Sequence, residues 1–365
     1  MTMMPPQPPP TEDTTQRSAT QECFCCGHVI ELPSARRLAL SLSLYFNIAI
    51  TLAKLFAYIQ TTSLSVLAAL LDSVLDVVSQ VVLNYTEKHS SMQRSSALYP
   101  AGASRLEPIG VLTCAALMGM ASFEVVKESI VTLVDPDQHT VAPHFASVYS
   151  MGAIVLIKLG LLWLCNVGAY KQQELGFSKH AAFDPTLEAL AQDHWNDALS
   201  NTVAAAALLV TLKRPALWYL DAVGAILISM YIIYSWYSTG VEQIEQLTGK
   251  SAPEEFIQEL VQIADAFDDR IAFVDTVRAY HFGPKFLVEI EIVMDAHTLL
   301  SESHDLGMDL QYEIEGKDEV ERCFVHIDYQ ARAYDEHVVS KVPELREFYL
   351  KQSRSHRNFR STQSV

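Results

Sequence analysis

The sequence predicts a membrane all-α six-helix bundle followed by a small cytosolic α+β domain. Three observations carry that reading. Six apolar stretches of spanning length precede Gly240, and the charged residues concentrate after it. After Gly249 the pattern changes to short helices and alternating strands. The chain has 365 residues, half of them hydrophobic and 19% charged, with mean hydropathy above zero, too apolar for an ordinary soluble protein and too polar for spans alone.

Residues 1–37 are rich in Pro, Thr and Gln and contain no apolar run, so they read as a disordered cytosolic segment without a cleavable signal peptide. Cys23, Cys25 and Cys26, followed by His28, suit an acylation site, a weak metal site, or simply a reduced tail. Cys114 and Cys165 fall within apolar helices and Cys323 within a strand, so no disulfide framework is expected.

The expected spans are Leu38–Tyr58, Leu64–Tyr85, Ile109–Val134, Val148–Tyr170, Leu187–Leu212 and Trp218–Tyr237. The short Gln60–Ser63 connection makes the first two antiparallel neighbours. Loop charge sets orientation. Arg36, Arg37, Lys88, Arg94, Arg105, Lys171 and Lys179 share one side, whereas Asp135–Phe145 carries no Lys or Arg. Lys213 and Arg214 are the exception, and both termini are expected in the cytosol. Asn84-Tyr85-Thr86 matches a glycosylation acceptor by chance, being cytosolic in this topology.

Beyond Gly249, a helix is expected over Pro253–Ala266 with Ser251 as its cap, then a strand at Ala272–His281 and a Gly283-Pro284 turn. Phe286–Met294 alternates as a half-buried strand does, Leu300–Glu315 reads as a helix, and Glu321–Asp328 as a third strand. The order α-β-β-α-β suits a small open-faced sheet backed by two helices. The tail after Val342 is basic, polar and expected to be disordered, with weak affinity for anionic headgroups.

Net charge is −17, which argues against a nucleic-acid partner. No nucleophile–base motif is present, so an enzyme is not expected. The informative residues are two acidic pairs, Asp72/Asp76 in the second span and Asp193/Asp197 in the fifth. Spacing i, i+4 puts each pair on one helix face. Carboxylates in hydrocarbon are costly and mark function by default. Single ion pairs with Lys54 and Lys158 explain two of the four acids at best. Four oxygen ligands from two helices form a cage for a hard divalent cation such as Mg, Ca or Mn. Fully ionised, the four repel one another, so some hold protons until a metal displaces them. One site that takes metal or protons is what an exchanger needs, and rocking of the spans would open it to each side in turn. His194 lies ~100° round the helix from Asp193 and is expected to support or pack near the site rather than ligate. Asn47 suits a neutral ligand or water-path residue, and equally an interhelical hydrogen bond.

These residues sit in SLSVLAALLDSVLDVVSQ, YPAGASRLEPIGVL, AQDHWNDALSN, VGAILISMY, DTVRAYHFG and FVHIDY. From Asn47 to Tyr329 the chain resembles the cation diffusion facilitators, in particular the manganese-type branch familiar from plant metal-tolerance proteins. The resemblance implies a six-span homodimer that exports divalent metal from the cytosol in exchange for protons, across an organelle membrane such as Golgi, vacuole or endosome. It implies a transport site of Asp72, Asp76, Asp193 and Asp197. The zinc-type branch begins its fifth-span pair with His. Here that position is Asp193, which implies Mn2+ as cargo, with Zn2+ or Fe2+ as alternatives and no resident cofactor. His194 is three residues from Asp197, not four, and the fourth-to-fifth loop holds only His180 in place of a His-rich loop.

The resemblance also implies a metallochaperone-like, ferredoxin-like C-terminal domain that dimerises and, in some members, binds regulatory metal. The matching positions are His304, His326 and Asp328, with His281 a further candidate; Glu291 and Val274 stand where His is usual, so the full binuclear zinc site is not expected. The domains implied are a 38–249 transport domain and a 250–340 dimerisation and regulatory domain, between the 1–37 segment and the 341–365 tail. A non-transporting metal sensor or heterodimer scaffold is the alternative of another class.

Overall fold

A computed structural model of the chain describes residues 35–61, 64–92, 99, 101–134, 145–174 and 184–330. The expectations for Cys23, Cys25, Cys26, His180 and the basic tail lie outside these residues. Two compact units make up the chain: Met1–Ile257 with Arg278–Val288 and Ile314–Cys323, and Gln258–Val277 with Glu289–Glu313 and Phe324–Val365.

Six long helices form the bundle: α1 Ala35–Thr61, α2 Leu64–Met92, α3 Leu106–Val134, α4 Phe145–Glu174, α5 Pro185–Lys213 and α6 Tyr219–Thr248. Among the described residues, four stretches are long and apolar enough to cross a membrane: Leu38–Phe56, Leu106–Val134, Val148–Val167 and Tyr219–Thr248. Helix α5 falls short because it carries Asp193 and Asp197 with their amide and hydroxyl neighbours. Large apolar side chains such as Phe56, Met120, Leu156, Trp163, Leu227 and Tyr234 point outward, as lipid-facing residues do.

The helices run past the expected spans because hydropathy reports membrane thickness, whereas a helix stops at its cap. Helix α6 continues through Glu242, Glu245 and Gln246 until Gly249, whose left-handed φ of 78° closes it. Its expected first residue, Trp218, is instead the N-cap residue, preceded by the single 3-10 turn Pro215–Leu217. Helix α5 starts where Asp184 accepts hydrogen bonds from the Thr186 and Leu187 amides and Pro185 takes the first turn.

Successive helices run antiparallel, as their cross-contacts show. Thr51 donates to the Ser73 carbonyl across α1 and α2, and Cys114 to the Ser79 carbonyl across α3 and α2. Gln192 donates to the Ser235 hydroxyl across α5 and α6. Gly110 lets α3 close on α2, since a Cβ there would lie 2.2 Å from Thr86 Oγ1. Towards the end of the bundle where α1 begins and α6 ends, the interior is a packed apolar core. Leu83, Val111, Cys114, Ala115, Ala189 and Trp236 form one cluster there, and Ala39, Leu40, Cys165, Leu187 and Leu190 a second.

The module after Gly249 contains α7 Glu254–Asp265, β1 Ile271–Phe282, β2 Lys285–Met294, α8 Leu300–Glu315 and β3 Val320–Asp328. Its one sheet has the order β1-β2-β3. Strand β2 shows the expected alternation: Phe286, Val288, Ile290 and Ile292 are buried between half-buried Leu287, Glu289 and Glu291. Helix α7 buries Phe256, Leu260 and Ala264 at i, i+4 and i+8, and α8 buries Leu306, Leu310 and Ile314. Cys323 is fully buried, and burial pushes its thiol up to about 12, leaving it unreactive. Ser251 does not cap α7. Its backbone bridges to Tyr280, and its hydroxyl donates to backbone carbonyls at Ala252 and Ala279. Pairing with the end of β1 satisfies more backbone groups than a lone cap bond.

The α2–α3 loop and the β1–β2 turn meet within the first unit. Arg105 stacks its guanidinium 4.1 Å from the Phe282 ring centre, and Ser104 donates to the Phe282 carbonyl at 3.3 Å. Gly283 has φ of 73°, and a Cβ there would come within 3.0 Å of the Ser104 carbonyl. Replacing Gly283 with Ala is expected to cost ~1 kcal/mol or more through the left-handed backbone alone. A thermal unfolding series in nanodiscs checks this, and an unshifted midpoint would count against this turn geometry.

Candidate metal centre

Polar residues on the spans fall on matched faces. On α1, Ser43, Asn47, Thr51 and Lys54 recur at i, i+4, i+8 and i+11; on α2 the stripe runs Asp72, Ser73, Asp76, Ser79, Gln80; on α5 it runs Asp193, Asn196, Asp197, Ser200, Asn201. These stripes face inward around a cavity of about 330 Å³. Its lining includes Asn47, Lys54, Asp72, Asp76, Ser122, Lys158, Asn196, Asp197 and Asp221, drawn from all six helices. The cavity runs from mid-bundle towards the end where α1 joins α2 and α5 joins α6, the end opposite the apolar core.

Asp76 and Asp197 converge on one cation. The Lys158 ammonium, on α4, forms an ion pair with Asp197 and lies 3.9 Å from Asp76 Oδ2. Lys158 is only 2% exposed. Asp72 lines the same cavity one turn from Asp76, and Lys54 beside it donates to Ser73 Oγ at 2.5 Å. Asp193 lies one turn from Asp197 and is 5% exposed. Gln80 is its nearest hydrogen-bonding neighbour, and neither carboxylate oxygen meets good hydrogen-bond geometry among the described residues. An acid buried with so little support is a candidate for a ligand role, because burying a poorly satisfied charge is costly.

His194 lies near the acids of its own helix. Ligand atoms of Asp193, His194 and Asp197 all lie within 4.8 Å of one another. His194 is three residues before Asp197, and i, i+3 positions share a face even though neighbours do not. Its Nε2 hydrogen-bonds the Ser43 hydroxyl at 2.7 Å on α1, and its Nδ1 has no partner among the described residues. Asn47 is buried on the cavity, and its Nδ2 makes no hydrogen bond among the described residues.

The other candidates are not gathered. Asp193, His194 and Asp197 are the one group of three or more metal-ligating side chains close enough to share an ion among the described residues. His281, half-buried, stacks on Phe286 at 4.6 Å and shares Nδ1 with the Gly283 carbonyl; burial holds its ring below the usual imidazole range. His304 pairs with its exposed neighbour Asp305, and His326 is exposed on β3 beside half-buried Asp328. These contacts are those of packing and surface residues within a single chain.

Three further residues belong to the cavity region. Lys158, expected from sequence as an ion-pair partner, lies between Asp197 and Asp76. Ser43 was visible as the first member of the α1 polar stripe. Asp221, in the first turn of α6 and the one charged residue in its first half, also lines the cavity.

A helical membrane domain with an acid-lined cavity, joined to a small sheet module, defines a membrane carrier for cations. The cation efflux transmembrane domain matches residues 40–248, and the cytoplasmic domain of cation efflux proteins matches residues 252–330. The chain therefore belongs to the cation efflux family, whose members are divalent-metal transporters and not enzymes. It is 34% identical to metal tolerance protein 7 of Oryza sativa subsp. japonica over 84% of this chain and 75% of that protein. It is 32% identical to metal tolerance protein 11 of Arabidopsis thaliana over 85% and 75% of the two chains, and 34% identical to rice metal tolerance protein 5 over 83% and 70%.

Ser43 is a direct check on how α1 holds α5. Replacing it with Ala leaves His194 Nε2 buried without its partner and is expected to cost ~1–3 kcal/mol. Chemical or thermal unfolding in nanodiscs reads this, and wild-type stability would show that the bond contributes nothing.

Proposed function

We propose that this protein exports Mn2+ from the cytosol in exchange for protons, through a site formed by Asp72, Asp76, Asp193 and Asp197. The observation that carries the reading is that Asp76 and Asp197, from separate helices, both address one point on the cavity, with Asp72 and Asp193 a turn away on either side. Four carboxylates make a hard oxygen environment suited to Mn2+. Fewer protons remain on the acids when a divalent ion is bound, so loading metal releases protons and unloading recovers them. The cavity described above is one access state. Opening the packed end and closing the other would complete a cycle of alternating access.

The proposed setting is a homodimer with six spans per subunit, both termini cytosolic, in an organelle membrane such as Golgi, vacuole or endosome. The C-terminal module is proposed to be ferredoxin-like and to dimerise. Its two helices and three strands fit that fold, and the matched cytoplasmic domain supports the placement. A non-transporting scaffold is disfavoured, because such a chain has no need to keep four acids at membrane depth.

One observation favours a second cargo. His194 belongs to the same close group as Asp193 and Asp197, and an imidazole shifts a site towards Zn2+. Reconstituted vesicles under an imposed pH gradient separate the cargoes. Mn2+ flux at least tenfold above Zn2+ flux supports the first reading; the reverse ratio supports Zn2+. Asp72→Ala and Asp197→Ala are each expected to abolish metal-dependent proton flux while the protein stays folded, and flux at wild-type level rejects the site. Asp193→His is expected to move the Mn2+/Zn2+ ratio at least tenfold towards Zn2+, which is about 1.4 kcal/mol. A ratio that stays put removes ligand softness as the basis of selectivity.

A further inference from the structure

We propose that Lys158 is a tethered competitor for the cargo: its ammonium occupies the position between Asp76 and Asp197 that the metal must take, so each metal ion loads by displacing it. The inference rests on the transport site proposed above and adds a specificity and release device to it.

Three features point to this role. First, the position is the cargo's own. Nζ pairs with Asp197 and stands 3.9 Å from Asp76 Oδ2, on the wall of the cavity. Second, the placement is expensive. A Lys in the middle of a long apolar helix, with 2% of its surface exposed, survives only where it compensates other charge. Third, the pair has little support around it. Beyond the two carboxylates, Lys158 Nζ has no further hydrogen bond among the described residues. A buried ion pair kept purely for structure needs such bonds to repay its desolvation. Lys54 does not fill the same place, since its ammonium donates to Ser73 Oγ on the α1–α2 seam.

The consequence follows from charge. Emptied of metal, four carboxylates in a low-dielectric cavity repel one another strongly. A lysine that swings back to Asp76 and Asp197 as the metal leaves relieves that repulsion without an ion from solution. It therefore weakens metal binding and speeds release. A four-carbon stem with rotatable bonds suits the motion, and a compact ammonium mimics a small cation better than a planar guanidinium does.

The test uses the full chain in lipid nanodiscs for Mn2+ binding, and in proteoliposomes for Mn2+ transport. Lys158→Met and Lys158→Gln are expected to bind Mn2+ at least tenfold tighter than wild type while the maximal transport rate falls at least tenfold. Lys158→Arg, which keeps the charge, is expected to stay nearer wild type in affinity. Tighter binding is the readout that a purely structural strut does not produce. Folded Met and Gln variants that bind Mn2+ as wild type does, or more weakly, overturn the proposal. Loss of folding in both marks a strut and overturns it too. Asp197→Asn distinguishes the two layers of inference: Mn2+ binding that survives this change overturns the site itself, whereas loss of binding there with unaltered affinity in the Lys158 variants removes the competitor role alone.

Discussion

The protein is organised around the cost of placing carboxylates inside apolar helices. An unpaired carboxylate at membrane depth is unfavourable by several kcal/mol, and four of them compound that through mutual repulsion. Every unusual feature of the bundle answers this cost. Lys158 reaches across from α4 to Asp197 and Asp76, and Lys54 is held beside Asp72 by Ser73. Asp72, Asp76 and Asp197 line one shared cavity. Asp193 is the residue for which the described protein groups provide least, and it lies in the one close group of metal-ligating side chains. A site so poorly satisfied by protein is well prepared for a cation.

The two ends of the bundle divide the labour. At the end where α1 begins and α6 ends, small and apolar side chains pack to exclude water, and Gly110 and the buried cysteines allow close helix approach. At the other end the same helices separate around polar stripes. A carrier needs this asymmetry, because a cavity open at both ends would leak. The small sheet module adds a second level. Its β1–β2 turn is held by Ser104 and Arg105 from the α2–α3 loop.

His194 shows that a helix position must be measured against more than one neighbour. Measured against Asp193, it lies ~100° round the helix. Measured against Asp197, it lies on the same face, and Ser43 on α1 fixes its ring through Nε2. Ser251 makes the converse point: its type and position suited a helix cap, but a nearby strand offered its backbone a better partner.

Much of this protein is legible in the amino-acid sequence. The apolar runs, the switch to alternating strands after Gly249, the helix Leu300–Glu315 and the two i, i+4 acid pairs are all local patterns, and local patterns report periodicity and burial directly. What the tertiary structure alone decided is which charges meet. Lys158 lies more than eighty residues from Asp76 and nearly forty from Asp197, and nothing in the chain between them specifies that α4 will turn Lys158 to that point. Contact between distant residues depends on the rotation and crossing of whole helices, set by packing over their full length, and no short window of sequence contains that information.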